Sequence, residues 1–106
     1  MTLTERQRRE VDSILEKKSE RSGGVITVRS DDQIKFQSGT AVLVILDAFG
    51  EYVENPKSAL VLACYEQLGS VFGDYPELYI IEYADGKIDN RVTANVMIRK
   101  EDVHGY

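Results

Sequence analysis

Residues Glu82 to Arg91, EYADGKIDNR, set three carboxylates and an Asn around a single glycine, a composition that a Ca²⁺ cage also uses. A helix-flanked Ca²⁺ loop needs oxygen ligands at alternating positions before its glycine and a bidentate Glu at its end. Here Asp85 directly precedes Gly86 with no such ladder, so the spacing points to a turn instead. Asp-Gly accommodates positive φ at the centre of a two-residue hairpin at little cost. Pairing Ala84 with Lys87 places Tyr83 opposite Ile88, Ile81 opposite Asn90 and Tyr79 opposite Val92 on one face, a largely apolar register.

Other reactive residue types are sparse. Cys64 is the only cysteine and sits among apolar neighbours, where a thiol behaves as a small hydrophobe; activation requires an adjacent base or a helix N-terminus. The only histidine, His104, is third from the end of the sequence, a poor position for a precisely held base or ligand. One His and one Cys disfavour a transition-metal site. Ser22 to Gly24, SGG, follows an expected helix and precedes an expected strand, the reverse of the order a phosphate-binding loop needs. No catalytic, cofactor-binding or metal-ligating residue is therefore assigned, and no cofactor is expected.

The cluster Arg6, Arg8 and Arg9 is the best case for phosphate contact. Residues 1 to 21 nevertheless carry six Lys/Arg against five Asp/Glu, and residues 22 to 106 carry seven against thirteen, so no sustained basic face is visible. With a net charge of -5 over 106 residues, nucleic acid and anionic membranes are disfavoured as partners. The polar opening MTLTERQRRE lacks the apolar run of a signal peptide, and the longest apolar stretch, Ala41 to Leu46, is far short of a membrane span; a cytoplasmic location is expected. A hydrophobic content of 42% is enough for one domain-sized core.

The elements that must position these residues form an expected α+β domain. Thr4 to about Glu20 are strong helix formers, Thr4 and Gln7 stand in capping-box spacing, and Gly23-Gly24 ends the leading helix within residues 1–22. Its thin apolar stripe, Val11, Ile14 and Leu15, is a candidate interface, either on its own sheet or on a protein partner or second copy. Alternation in VITVRSDDQIKF predicts a hairpin over residues 25–37 that turns near Asp31-Asp32. Residues 40–73 read as a helical region. AVLVIL permits strand or helix, with Leu43, Leu46, Phe49 and Val53 at helical spacing. Lys57 to Phe72 reads as a capped helix, with Asn55 as N-cap, Pro56 at the first position, Gly73 past the end, and a stripe of Leu60, Val61, Cys64, Leu68, Val71 and Phe72. A C-terminal hairpin over residues 77–99 closes an antiparallel sheet of four to five strands, with the leading helix and one or two further helices on one face.

This order resembles the profilin-like sheets of PAS sensor domains and roadblock dynein-light-chain-type proteins. GGVITVRSDDQIKF is similar to the first PAS hairpin, and IEYADGKIDNRVTANVMIRKEDVHG looks like the later PAS strand pair with its central Asp-Gly. The Asn usual after the first PAS hairpin is replaced around Ser38-Gly39, so no binding residue carries over. The resemblance implies ligand sensing or dimeric scaffolding. The resulting expectation is a non-catalytic binding or regulatory module that associates with a protein partner or with itself, as a homodimer. Two rivals stand beside it: a small enzyme or ligand sensor with a pocket of Asp47, Glu51 or Glu66 and tyrosines, and a single-strand nucleic-acid binder stacking bases on Tyr79 or Tyr83 beside Arg91.

Overall fold

The structure is a computed structural model that describes residues 3–21, 24–71 and 73–103. It is an α+β architecture with one helix, α1 (Glu5–Arg21), and strands β1 (Val25–Val28), β2 (Ala41–Leu46), β3 (Tyr52–Ser70), β4 (Gly73–Tyr83), β5 (Ile88–Val92) and β6 (Met97–Arg99). The strands form a single sheet in the order β5-β4-β3-β2-β6 with antiparallel pairings throughout, and β1 pairs with β3 beyond the end of β2. This is more strands and fewer helices than the sequence reading expects. No helix among the described residues is long and apolar enough to cross a membrane.

The leading helix starts as its residues dictate. Thr4 Oγ1 accepts the Gln7 N–H at 3.1 Å while the Thr4 N–H donates to Gln7 Oε1 at 2.9 Å, a reciprocal capping box. Gln7 Nε2 also donates to Glu82 Oε1 at 3.1 Å, and the Arg6 guanidinium grips both oxygens of Glu82 at 2.9 and 3.1 Å, which ties this end to β4. Val11 packs into a core of Leu62, Ala63, Tyr65, Leu78 and Ile80, with Ile14 and Leu15 half-buried against it. The stripe read as a candidate partner interface thus covers the chain's own sheet. The expected stop at Gly23 lies outside the described residues.

The largest correction concerns Lys57 to Phe72, read as a helix: its residues 57–70 belong to the long strand β3 (Tyr52–Ser70), and Phe72 lies outside the described residues. The cap signals Asn55-Pro56 and Gly73 are local, whereas the pairing that wins is not: β3 is hydrogen-bonded to β4 along one edge and to β2 and β1 along the other. Pro56 fits because it falls in an irregularity of the β2 ladder, between Lys57 opposite Val44 and Tyr52 opposite Leu46, where a strand tolerates a missing donor. The helical-looking spacing also has a cause. The register against β4 shifts between Val61 and Ala63, so Ala59 and Val61 face one side of the sheet, and after the irregularity Cys64 faces that side. Leu62, Ala63 and Tyr65 face the helix. A β period broken by one residue mimics a spacing of three.

The same bulging bends the molecule. Nineteen strand residues laid straight span about 60 Å at the usual rise, yet the longest dimension of the protein is 43 Å. The two edge strands β5 and β6 are joined only by residues 93–96, which include a tight 3-10 turn over Ala94–Val96. Five residue steps reach at most about 18 Å, while the edges of a flat five-stranded sheet lie about 19 Å apart. The sheet therefore curls, and Val92 of β5 and Met97 of β6 meet in one core with Val42, Val61, Cys64, Tyr79 and Ile81.

Two other sequence expectations change. AVLVIL is strand β2, as its β-branched content favours, and Phe49 of the expected helical stripe is almost fully exposed in the following loop. The predicted hairpin over 25–37 does not form, because β1 pairs with β3 and the chain then makes a 3-10 turn at Asp31–Gln33. Ile34 and Phe36 instead plug the curl, held by the Tyr79 hydroxyl, which accepts the N–H groups of Lys35 at 3.1 Å and Phe36 at 3.2 Å. Phe36 meets the Tyr79 ring edge-on, 5.6 Å between centroids.

The Asp85-Gly86 turn is present, one residue longer than predicted. Gly86 N–H donates to Tyr83 O, Tyr83 N–H donates to Lys87 O, and Gly86 has φ of +90°, the signature of a three-residue loop with a glycine bulge. Glu82 therefore faces Ile88 and Ile81 faces Asp89, in place of the predicted Tyr83–Ile88 and Ile81–Asn90. A second irregularity restores the predicted Tyr79–Val92 pair. The C-terminal hairpin ends at Val92, and residues beyond it cross to β2 as β6.

Candidate functional site

Along α1 the sheet-facing positions run Gln7, Val11, Ile14, Lys18 and Arg21, so the stripe that begins apolar turns cationic over the last two turns. Lys17 lies beside it, one turn before Arg21. Opposite these turns are Gln67 of β3 and Asn90 and Arg91 of β5, and the space between is a cleft of about 380 Å³. That volume lies in the small-molecule range.

Four cations from two elements thus face one space in a chain whose net charge is -5. Lys18 and Arg21 stand at the helix C-terminus, where cations complement the exposed carbonyls, but the dipole there amounts to about half a charge. Among the described residues, neither Lys17, Lys18 nor Arg21 has a carboxylate within ion-pair distance; the described pairs are Arg6–Glu10, Arg6–Glu82, Arg9–Glu5 and Arg29–Glu66. Burial lowers the Lys18 pKa, and the positive charge of Arg91 lowers it further, against a weaker opposing pull from Asp89. The Lys18 ammonium lies 5.6 Å from the centroid of the Tyr65 ring, and the Arg91 guanidinium 5.2 Å from that of Tyr75. Both cations are thus placed by aromatic faces.

The floor is polar and incompletely satisfied. Gln67 is 2% exposed, and its Oε1 accepts no hydrogen bond among the described residues. Asn90 beside it uses its backbone carbonyl to accept the Tyr65 hydroxyl at 2.6 Å, which fixes β5 over this part of β3.

A second cleft of about 500 Å³ opens at the mouth of the curl, walled by Val44, Leu46, Tyr83, Val92 and Val96 and rimmed by Asp47, Asp89 and Arg91. Asp47 is occupied by its own loop: Oδ1 accepts the N–H groups of Phe49 at 2.8 Å and Glu51 at 3.0 Å. Glu66 faces Arg29 at 3.7 Å, and Glu51 is exposed in the β2–β3 loop, so the three carboxylates singled out in the sequence do not converge. The Cys64 thiol is buried, and desolvation pushes its pKa up to about 12. Tyr79 is fully buried and has no face for a stacked base; Tyr83 is half-buried. His104 lies outside the described residues.

Of the sequence-predicted interface residues, only Ile14 lines the basic cleft, while Val11 and Leu15 pack on the sheet. Sequence reasoning missed Lys17, Lys18, Arg21, Gln67 and Asn90 as site residues and named Arg91 only as the cation beside Tyr79 or Tyr83 in base stacking. The spacing of 14, 17, 18 and 21 places one helical face together and was a readable signal. No protein-family profile, curated protein or solved structure matches the chain, so the chemistry of the cleft rests on its own residues.

Proposed function

We propose that the chain is a non-catalytic recognition module whose working surface is the basic cleft, and that what it holds presents a compact negative group. One observation carries this reading: Lys17, Lys18 and Arg21 of α1 and Arg91 of β5 face one cleft, and among the described residues the first three have no carboxylate within ion-pair distance. Holding like charges together in a partly desolvated space is unfavourable until an anion enters, so the arrangement stores affinity for one. The buried thiol, the occupied Asp47 carboxylate and the enclosed Tyr79 hydroxyl support binding over catalysis at the other reactive groups.

Amide NMR titration with methyl phosphate at low ionic strength tests it. Shifts should centre on Lys17, Lys18, Arg21, Gln67, Asn90 and Arg91 and vanish in Lys18→Glu and Arg91→Glu. Shifts on the Arg6–Arg9 face instead, or variants that bind like the parent, would sink the reading.

Association through protein contact is a second reading, favoured by the edge of β1. Among the described residues this strand has a partner on one side only; it carries no charge and leaves Val25 66% and Val28 59% exposed. Such an edge accepts an added strand, including that of a second copy. Sedimentation over a range of concentrations, with Val28→Lys as the control, separates a dimer from a strict monomer.

A further inference from the structure

We infer that the ligand of the basic cleft is a phosphate monoester on a hydroxylated scaffold, with Gln67 accepting a hydrogen bond from one of its hydroxyls. The inference deepens the proposed function and rests on it. It starts from what the cleft lacks. Cations supply donors for oxyanions, yet the deepest polar group, at 2% exposure, offers an unused acceptor. A ligand with only acceptor oxygens would satisfy Lys17, Lys18 and Arg21 and leave Gln67 Oε1 unpaired. An anion seated directly against that oxygen would be repelled by its lone pairs.

The ligand that completes the site therefore carries two chemistries on one body, a negative group at the cations and an O–H donor within reach of the floor. Charge decides which negative group. Lys17, Lys18 and Arg21 have no carboxylate within ion-pair distance among the described residues, and the fractional dipole of the helix end and the pull of Asp89 on Lys18 offset them only in part, which leaves an excess near two charges. A phosphate monoester carries close to two negative charges at neutral pH and a carboxylate one, so the monoester neutralises the cleft more completely. Arginine forks suit its tetrahedral oxygens, and an open cleft of about 380 Å³ has room for a five- or six-carbon sugar phosphate. Ile14, half-buried at the wall, offers an apolar surface for the carbon face of such a scaffold.

The prediction separates the two chemistries with probes of equal charge. Ribose 5-phosphate and methyl phosphate present the same dianion, and only the first brings hydroxyls. Titrated calorimetrically into the unmodified chain, ribose 5-phosphate should bind about tenfold tighter, the value of one hydrogen bond to a buried acceptor. Gln67→Met, which matches the side chain in length and removes the acceptor, should bring the ratio of the two affinities from about ten to about one. Lys18→Met should weaken both ligands alike. Equal affinity for the two phosphates in the unmodified chain overturns the hydroxyl inference while the anion reading stands, and this comparison needs no variant to fold. Loss of methyl phosphate binding in Gln67→Met also overturns it, because the amide then donates to the anion. If neither phosphate binds nor perturbs the cleft amides, the inference and the proposed function fall together.

Discussion

Tyr79→Phe removes one oxygen from the middle of the curl, and its consequence can be worked from two hydrogen bonds. The hydroxyl accepts from the backbone N–H of Lys35 at 3.1 Å and of Phe36 at 3.2 Å, and the second of these donors is buried. Residues 34–36 belong to no strand, so these two bonds replace the ladder that would otherwise satisfy them. A buried donor left unpaired costs about 1–3 kcal/mol, and the partly buried Lys35 donor somewhat less, which gives about 2–4 kcal/mol for the pair. For a chain near 100 residues this lowers the melting temperature by about 10–20 °C. Tyr65→Phe is the internal control. That ring is equally buried, but its hydroxyl donates to the Asn90 carbonyl at 2.6 Å, on a residue that is itself only half-buried, so its loss costs about 1 kcal/mol. Urea denaturation of both variants should rank Tyr79→Phe as at least twice as costly, and amide exchange at Lys35 and Phe36 should accelerate before global unfolding does. Equal costs, or unchanged protection at Phe36, would refute the reasoning. The segment would then be held by the apolar contacts of Ile34 and Phe36 and by the Arg99 guanidinium, which donates to the Lys35 carbonyl.

Two further outcomes follow from buried titratable groups. Cys64, buried and with its pKa pushed up to about 12 by desolvation, should react with iodoacetamide near pH 8 at least about a thousandfold more slowly in the folded chain than in urea. Fast native labelling would mean that the β3–β4 core opens locally. Burial also raises Tyr65 and Tyr79 from 10.0 to about 12, so between these values the folded state holds protons that the unfolded state has lost. Stability should be complete below about pH 10 and fall by about 3 kcal/mol per tyrosine as pH rises toward 12, read as cooperative loss of far-ultraviolet dichroism together with the tyrosinate absorbance. Tyrosinate appearing near pH 10 in a chain that stays folded would contradict the burial.

What was legible in the sequence was local. The Thr4–Gln7 capping box and the Asp85-Gly86 turn depend on residues within four positions of one another, and both are formed. The middle of the chain misled because β3 is buried on both faces and irregular. Leu60 to Tyr65 is continuously apolar, which hides the period of two, and the shift after Val61 turns that period into helix-like spacing. Asn55-Pro56 then completed a false cap at what is a break in the β2 ladder. The site divides in the same way. Lys17, Lys18 and Arg21 share a helical face that spacing alone reveals, whereas Gln67 and Arg91 join them only through the β3–β4–β5 register, which pairs Gln67 with Tyr75 and Tyr79 with Val92. Reading residues 57–72 as a helix removed Gln67 from consideration before any site could be assembled.

The cleft and the curl have one cause. The sheet closes around its inner core, so the face under α1 is the convex one, and a seventeen-residue helix is a rod about 25 Å long. A straight rod on a convex surface touches along its middle and stands clear at its ends. Val11, Ile14 and Leu15 make the contact, and the two ends are bridged by long polar side chains. At the N-terminal end Arg6 and Gln7 reach Glu82, so that gap is filled and neutralised. At the other end the register of β3 shifts on both sides of Gln67, and Lys18 and Arg21 span the opening with no carboxylate within ion-pair distance among the described residues. Flexible stems with charged heads suit such a position, since they cover apolar surface while keeping the charge near water. That requirement accounts for length and charge at both ends equally. It does not account for the difference between them, a Glu82 supplied at one end and, among the described residues, an unpaired Gln67 oxygen at the other, and the proposed anion site rests on this asymmetry.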